Sequence, residues 1–325
     1  MPGEPARALL RRLDAFQRRH RVLAVCYAVQ RKLGDDNGGT LVAQLTYSGF
    51  VTVFPLLLLF VTVLGLVFSS DPSLRHSLLH SSLRDFPVVG SELGHNVRSL
   101  KSSSAIGLAV SLVVLVYGCA GLGQAGLYAL HELWDIPQAD RPGTLEAMAR
   151  SVGFLGVLAV GVVVSTFLAG VGTYGSRQPL LIEVGAVALS LLVNCGQYLA
   201  GLRILTGRAI STRSLLLGAV AGGCGWTVLL AVGTYLVGHD LRGDSTTYGT
   251  FAAVLGLLAW IYLAARLTLY AVELNVVVER GLSPRSLVRP PLTKADKASL
   301  AAQAESARSL PEERVAVSFE EGAGT

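Results

Sequence analysis

Few residues in this 325-residue chain have the type and setting to do chemistry. Arg266 stands inside a long apolar stretch, with Glu273 seven positions on and therefore on the same helical face. A charge in hydrocarbon costs roughly 2.5–3.5 kcal/mol on insertion scales. Such a residue marks either a polar site or an arginine whose head reaches the headgroup layer. Asn194 and Gln197 share a face three residues apart, as do Gln44 and Tyr47. Side chains of this kind bond neighbouring helices or line a path for a polar substrate. Pro55 follows Ser48, Gly49 and Thr52 in the first apolar stretch. It removes one helix hydrogen bond, so a kink or break is expected there. Gln44, Tyr47, Pro55, Asn194, Gln197, Arg266 and Glu273 are therefore the candidate substrate-path residues.

Other chemistries find less support. His76 and His80 form an i, i+4 pair near Asp71, Glu92 and His95, a pattern that reads as a solvated helix face before it reads as a metal site. His131-Glu132 is not a zinc-protease motif, because position 135 is Asp135. Glu132, Asp135 and Asp140 share one short loop and are the only acids that could be assembled for nuclease chemistry, with no histidine-rich partner segment after them. Cys26, Cys119, Cys195 and Cys224 form no C-x-x-C pair. There is no phosphate-binding glycine loop and no nucleophile elbow. No catalytic residue, metal or cofactor is expected.

The elements that must position these residues are long and oily. The chain is 51% hydrophobic and 15% charged, against about 25% charged for a soluble domain. Its charges gather at the ends and in short loops. Six apolar blocks result: one between Asp36 and Asp71, then about 105–130, 151–176, Glu183 to Arg203, 214–238 and about 248–272. Each suits a membrane-spanning helix, which needs roughly 20 residues to cross about 30 Å of hydrocarbon. Helices are preferred because each satisfies its own backbone. With six crossings, twenty Lys and Arg fall on one side and six on the other, so the richer side, carrying both termini, is expected to be cytoplasmic. That orientation accounts for the net charge of +5, and no nucleic-acid partner is expected.

The expected fold is an all-α membrane bundle in three parts. Residues 1–36 form a basic amphipathic arm, with Leu9, Leu13 and Phe16 on one face and Arg11, Arg12, Arg18 and Arg19 supplying charge. Such an arm suits anionic lipid headgroups. Residues 37–280 form the bundle, with an external amphipathic segment at 71–103. Residues 281–325 read as a cytoplasmic, mostly disordered tail, being rich in Ala, Glu, Gln, Ser and Lys after about position 293. Gly218 and Gly222 make a G-x-x-x-G in the fifth block, which suits close helix contact.

Three stretches resemble the YihY/BrkB family of multi-pass bacterial membrane proteins, formerly labelled ribonuclease BN. They are Ala43-Gln44-Leu45-Thr46-Tyr47 through Phe54-Pro55-Leu56-Leu57, Trp134-Asp135-Ile136-Pro137 before Arg141-Pro142, and Tyr248-Gly249-Thr250 through Trp260-Ile261-Tyr262 to Glu273-Leu274-Asn275. The resemblance covers about residues 30–285. It implies six membrane helices and a place in the bacterial cytoplasmic membrane, with an envelope role such as moving lipid or other envelope material. A scaffold or envelope-assembly role is the alternative, and a membrane-bound ribonuclease the third. Arg266 departs from the family pattern, which is usually uncharged there, and so does Tyr270, where many relatives have glycine.

Overall fold

A computed structural model of the chain describes residues 12, 14–67, 120–174, 180–207, 210–240, 249–287 and 292–319. Among these every regular element is a helix. Helix α1 is Arg21–Asp35, preceded by a helical stretch over 14–19, and α2 is Gly38–Val67. The described part of α3 covers residues 120–133. Then come a 3-10 turn at Gln138–Asp140, α4 at Thr144–Tyr174, α5 at Leu180–Thr206, α6 at Thr212–Asp240, α7 at Gly249–Glu279 and α8 at Lys294–Ser306. The external segment at 71–103, with its histidines, lies outside the described residues, as do Leu9, Arg11, Leu13 and Tyr248.

Helices α4 to α7 are each long and apolar enough to cross a membrane. Their 27 to 31 residues make rods of about 40–46 Å at 1.5 Å per residue. Their apolar side chains are also largely on the outside: Val187, Leu192, Val228, Phe251 and Leu255 are all exposed. In water such a surface would be a severe liability. In a bilayer it is the solvated face, and the fold is that of an integral membrane protein. Helix α2 has 30 residues and runs through Pro55 as one element, so of the kink or break expected there the break is absent.

Consecutive long helices pack on one another, α4 on α5, α5 on α6 and α6 on α7, while α7 also packs on α2 and α1. Glycines set the closest approaches. A Cβ on Gly218 would collide with the Ala271 carbonyl oxygen of α7, and one on Gly222 would sit 2.5 Å from the Tyr198 ring of α5. The G-x-x-x-G of α6 is thus used within the chain, one glycine for each neighbouring helix.

The best-packed region lies at the end of the bundle where the arm and the tail meet. Ala28, Val29 and Leu33 of α1 are buried with Leu41, Val42 and Leu45 of α2, Leu130 and Leu133 of α3, and Leu269, Val272 and Val276 of α7. The arm is therefore part of the core. The tail is likewise built in where composition alone suggests disorder. Helix α8 starts with a reciprocal capping box, Thr293 with Asp296. Buried Arg285 donates to Asp296 at 3.1 Å and to Asp35 of α1 at 2.7 Å. Burial opposes the charge on Asp296, but hydrogen bonds from Thr293, Ser286 and Arg285 hold its carboxyl well below the usual range. Two bonds join tail to loop, Ala139 N–H to the Arg308 carbonyl at 3.2 Å and Arg308 to Asp140 at 2.5 Å.

Candidate functional site

The chemistry of the molecule gathers where α1 ends, α2 begins, and the loop after α3 meets the last turns of α7. Lys32 is fully buried there, near the end of α1. Its ammonium donates to Asp36, to the Leu133 carbonyl at 3.3 Å and to Asp135 at 3.3 Å. Asp135 also takes Arg280 at 2.8 Å, and the other arm of that guanidinium bonds the Trp134 carbonyl while its centre lies 6.0 Å from the Trp134 ring. Glu273, fully buried on α7, completes the group, with its carboxyl against that of Asp36.

Local sequence explains the placement. Lys32 and Asp36 are four apart, one helical turn, so they share a face of α1 and its cap. Asp135 stands at φ 47°, a left-handed conformation that aspartate tolerates better than most residues. That twist ends α3 and turns the Asp135 carboxylate back toward Lys32.

Electrostatics follow from burial. Desolvation alone would lower the Lys32 amine, but Glu273, Asp36 and Asp135 surround it and the net effect is a raised pKa. Burial pushes the Asp36 carboxyl up to about 6, against the pull of Lys32. Arg280 links this cluster to a cleft of about 290 Å³ lined by Trp134, Ile136, Ile210, Ser214 and Glu279.

The candidate path residues do not converge on one cavity among the described residues. Asn194 donates to Thr227 at 3.0 Å, across the α5–α6 contact. Gln197 lies over Gly161, where a Cβ would collide with its amide. These two are helix-to-helix contacts. Gln44 and Tyr47 are exposed on α2, Tyr47 by 72%. Arg266 is exposed on α7, where it donates to the Tyr262 hydroxyl at 3.3 Å and the Tyr270 hydroxyl at 3.1 Å. Tyr270 in turn donates to Gln30 of α1. Only Glu273 reaches the charge cluster. Of the remaining motif residues, Trp134 lies in that cluster, and Asn275 accepts from Gly218 N–H at 2.6 Å and donates to the Leu215 carbonyl at 3.3 Å. Trp260 lies against Gly233, Pro137 caps the 3-10 turn, and Gly249 starts α7.

The three loop acids are engaged separately. Glu132 pairs with Arg141 at 2.8 Å, Asp135 with Lys32 and Arg280, and Asp140 with Arg308. They form no shared metal site among the described residues. Lys32, Asp36 and Arg280 are the members of the cluster that sequence reasoning missed. The signal was the i, i+4 spacing of Lys32 and Asp36 inside an arm that otherwise reads as surface.

Comparison with known proteins decides the ancestry. The family model described as "Virulence factor BrkB" matches residues 29–294. The chain belongs to the virulence factor BrkB family. The matched range holds the whole charge cluster, from Lys32 to Arg280, and stops at the first residue of α8. Among similar proteins is the Inner membrane protein YhjD of Escherichia coli K12, 23% identical over 82% of this chain and 84% of that protein. A UPF0761 membrane protein of Alteromonas mediterranea is 24% identical over 75% of this chain and 83% of its own. No solved structure matches.

Proposed function

We propose that the protein moves an anionic amphiphile, a phospholipid or a lipid-linked envelope component, across the bacterial inner membrane. The observation that carries this reading is the exposed guanidinium of Arg266 on the side of a membrane-spanning helix. Two of its five N–H donors bind tyrosine hydroxyls, which fix its direction. The others suit a phosphate, which arginine binds in a bidentate manner. A headgroup of opposite charge offsets the cost of holding that charge beside hydrocarbon.

Register places further polar groups at the same depth. Glu273 meets Asp36 just before α2, and Gly49 of α2 lies against Ile261. The two helices therefore run antiparallel, and exposed Gln44 stands level with Arg266. Gln30, Tyr270, Arg266 and Tyr262 form a polar ladder along the outside of the bundle. The name of the relative YhjD supports the inner membrane as the address, and the excess of Lys and Arg supports cytoplasmic termini. A second reading, a membrane scaffold, is favoured by the clasp that arm, loop and tail form at one end.

The test is leaflet exchange of fluorescent lipids in reconstituted vesicles. The intact chain should speed the exchange of labelled phosphatidylglycerol, and Arg266→Gln should cut that acceleration at least tenfold. Exchange equal to protein-free vesicles, with protein folded by circular dichroism, would leave the scaffold reading.

A further inference from the structure

Glu273 presents an accounting problem. Its side chain is fully buried, and neither oxygen has a donor among the described residues. A carboxylate can only accept, and so can the neighbouring carboxylate of Asp36. The nearest cation cannot help. An ammonium has three donors, and those of Lys32 go to Asp36, the Leu133 carbonyl and Asp135. Arg280 donates to Asp135 and the Trp134 carbonyl, and none of its N–H groups reaches Glu273.

Charge gives the same answer. The groups that act on Glu273 are Lys32 of α1, Asp36 in the turn before α2 and Asp135 in the loop after α3. Arg280 enters through Asp135. Fully ionised, the cluster holds three negative charges against two positive ones. A buried unpaired charge is expensive, and two carboxylates in contact do not both ionise when one proton can serve them.

We propose that Glu273 and Asp36 form a proton-binding site, holding one exchangeable proton between their carboxyl groups at neutral pH. With the proton on Glu273, its O–H donates to the Asp36 carboxylate, the missing donor appears, and two cations face two anions. On release the proton passes to water by way of the cleft at Arg280, and the carboxylate left behind repels Asp36. The proton is held whether or not the protein moves lipid, and the protonation state can be read directly.

Infrared spectroscopy of the full chain in nanodiscs reads it. The wild-type protein at pH 7 should show a protonated-carboxyl stretch that shifts in D₂O and fades as the pH is raised. Glu273→Gln, whose amide can make the same hydrogen bond to Asp36, should remove that band. Asp36→Asn should remove it too, because its amide then donates to an ionised Glu273. If Glu273→Gln fails to fold, the Asp36→Asn protein decides alone. No such band in the wild type, or a band that survives either substitution in folded protein, would overturn the proposal.

Discussion

Lys32 is fully buried at the centre of the charge cluster. It bridges three elements with one ammonium group: its own helix cap, the end of α3 and the loop acid Asp135. Removing one partner from a buried ionic group leaves the others uncompensated, which typically costs about 3–5 kcal/mol. Lys32→Met keeps the length and apolar stem of the side chain but strands Asp36, Asp135 and Glu273. It is expected to lower the thermal midpoint in detergent sharply, while Arg31→Met, nearer solvent and paired with Asp35 at 3.6 Å, should change it little. Equal effects from the two substitutions would show that the cluster contributes no more than an ordinary surface pair. Sequence could place Glu273 on a polar face, because seven residues is two helical turns. It could not say whether that face met lipid or protein. Arg266 took one answer and Glu273 the other: Glu273 is buried against Asp36, while Arg266, one turn beyond the Tyr270 contact with Gln30 of α1, is exposed.

Helix α6 packs tightly on both α5 and α7, and the reason is the absence of side chains at its glycines. At Gly218 a methyl group would collide with the Ala271 carbonyl and the Asn275 amide, both firmly placed. Asn275 cannot move aside without losing its bonds to Gly218 and Leu215. A methyl group on Gly196 of α5 would meet nothing within 4 Å. Gly218→Ala should therefore destabilise the bundle by about 1–3 kcal/mol, as overpacking does. Gly196→Ala should be neutral or stabilise by up to about 1 kcal/mol through helix propensity. Chemical denaturation in mixed micelles compares the two, and the same sign for both would contradict this account of the α6–α7 contact. Long apolar runs made the spanning helices legible in the sequence. The helix in the tail was not, because its polar composition matches that of disordered segments. What orders it is a long-range pair, Arg285 with Asp296 and Asp35, and no local pattern announces a partner 250 residues away.

At the scale of the whole molecule, one end is dense with paired charge and the rest is a sheath of exposed apolar side chains. The paired end carries the arm, the loop after α3, the start of α6 and the tail, which belong together only if all lie on one side of the bilayer. The family's matched range ends at the start of α8, so it holds Arg285 of the clasp together with its partner Asp35, while Asp296 and Arg308 lie beyond it. Sidedness is the claim on which the placing of Arg266 and the cleft depends. It is tested most directly by labelling single cysteines, in an otherwise cysteine-free chain, with a membrane-impermeant maleimide in intact cells. Ser211→Cys and Glu312→Cys should stay unlabelled in intact cells and label once the cells are lysed. Labelling of either one in intact cells would contradict the account.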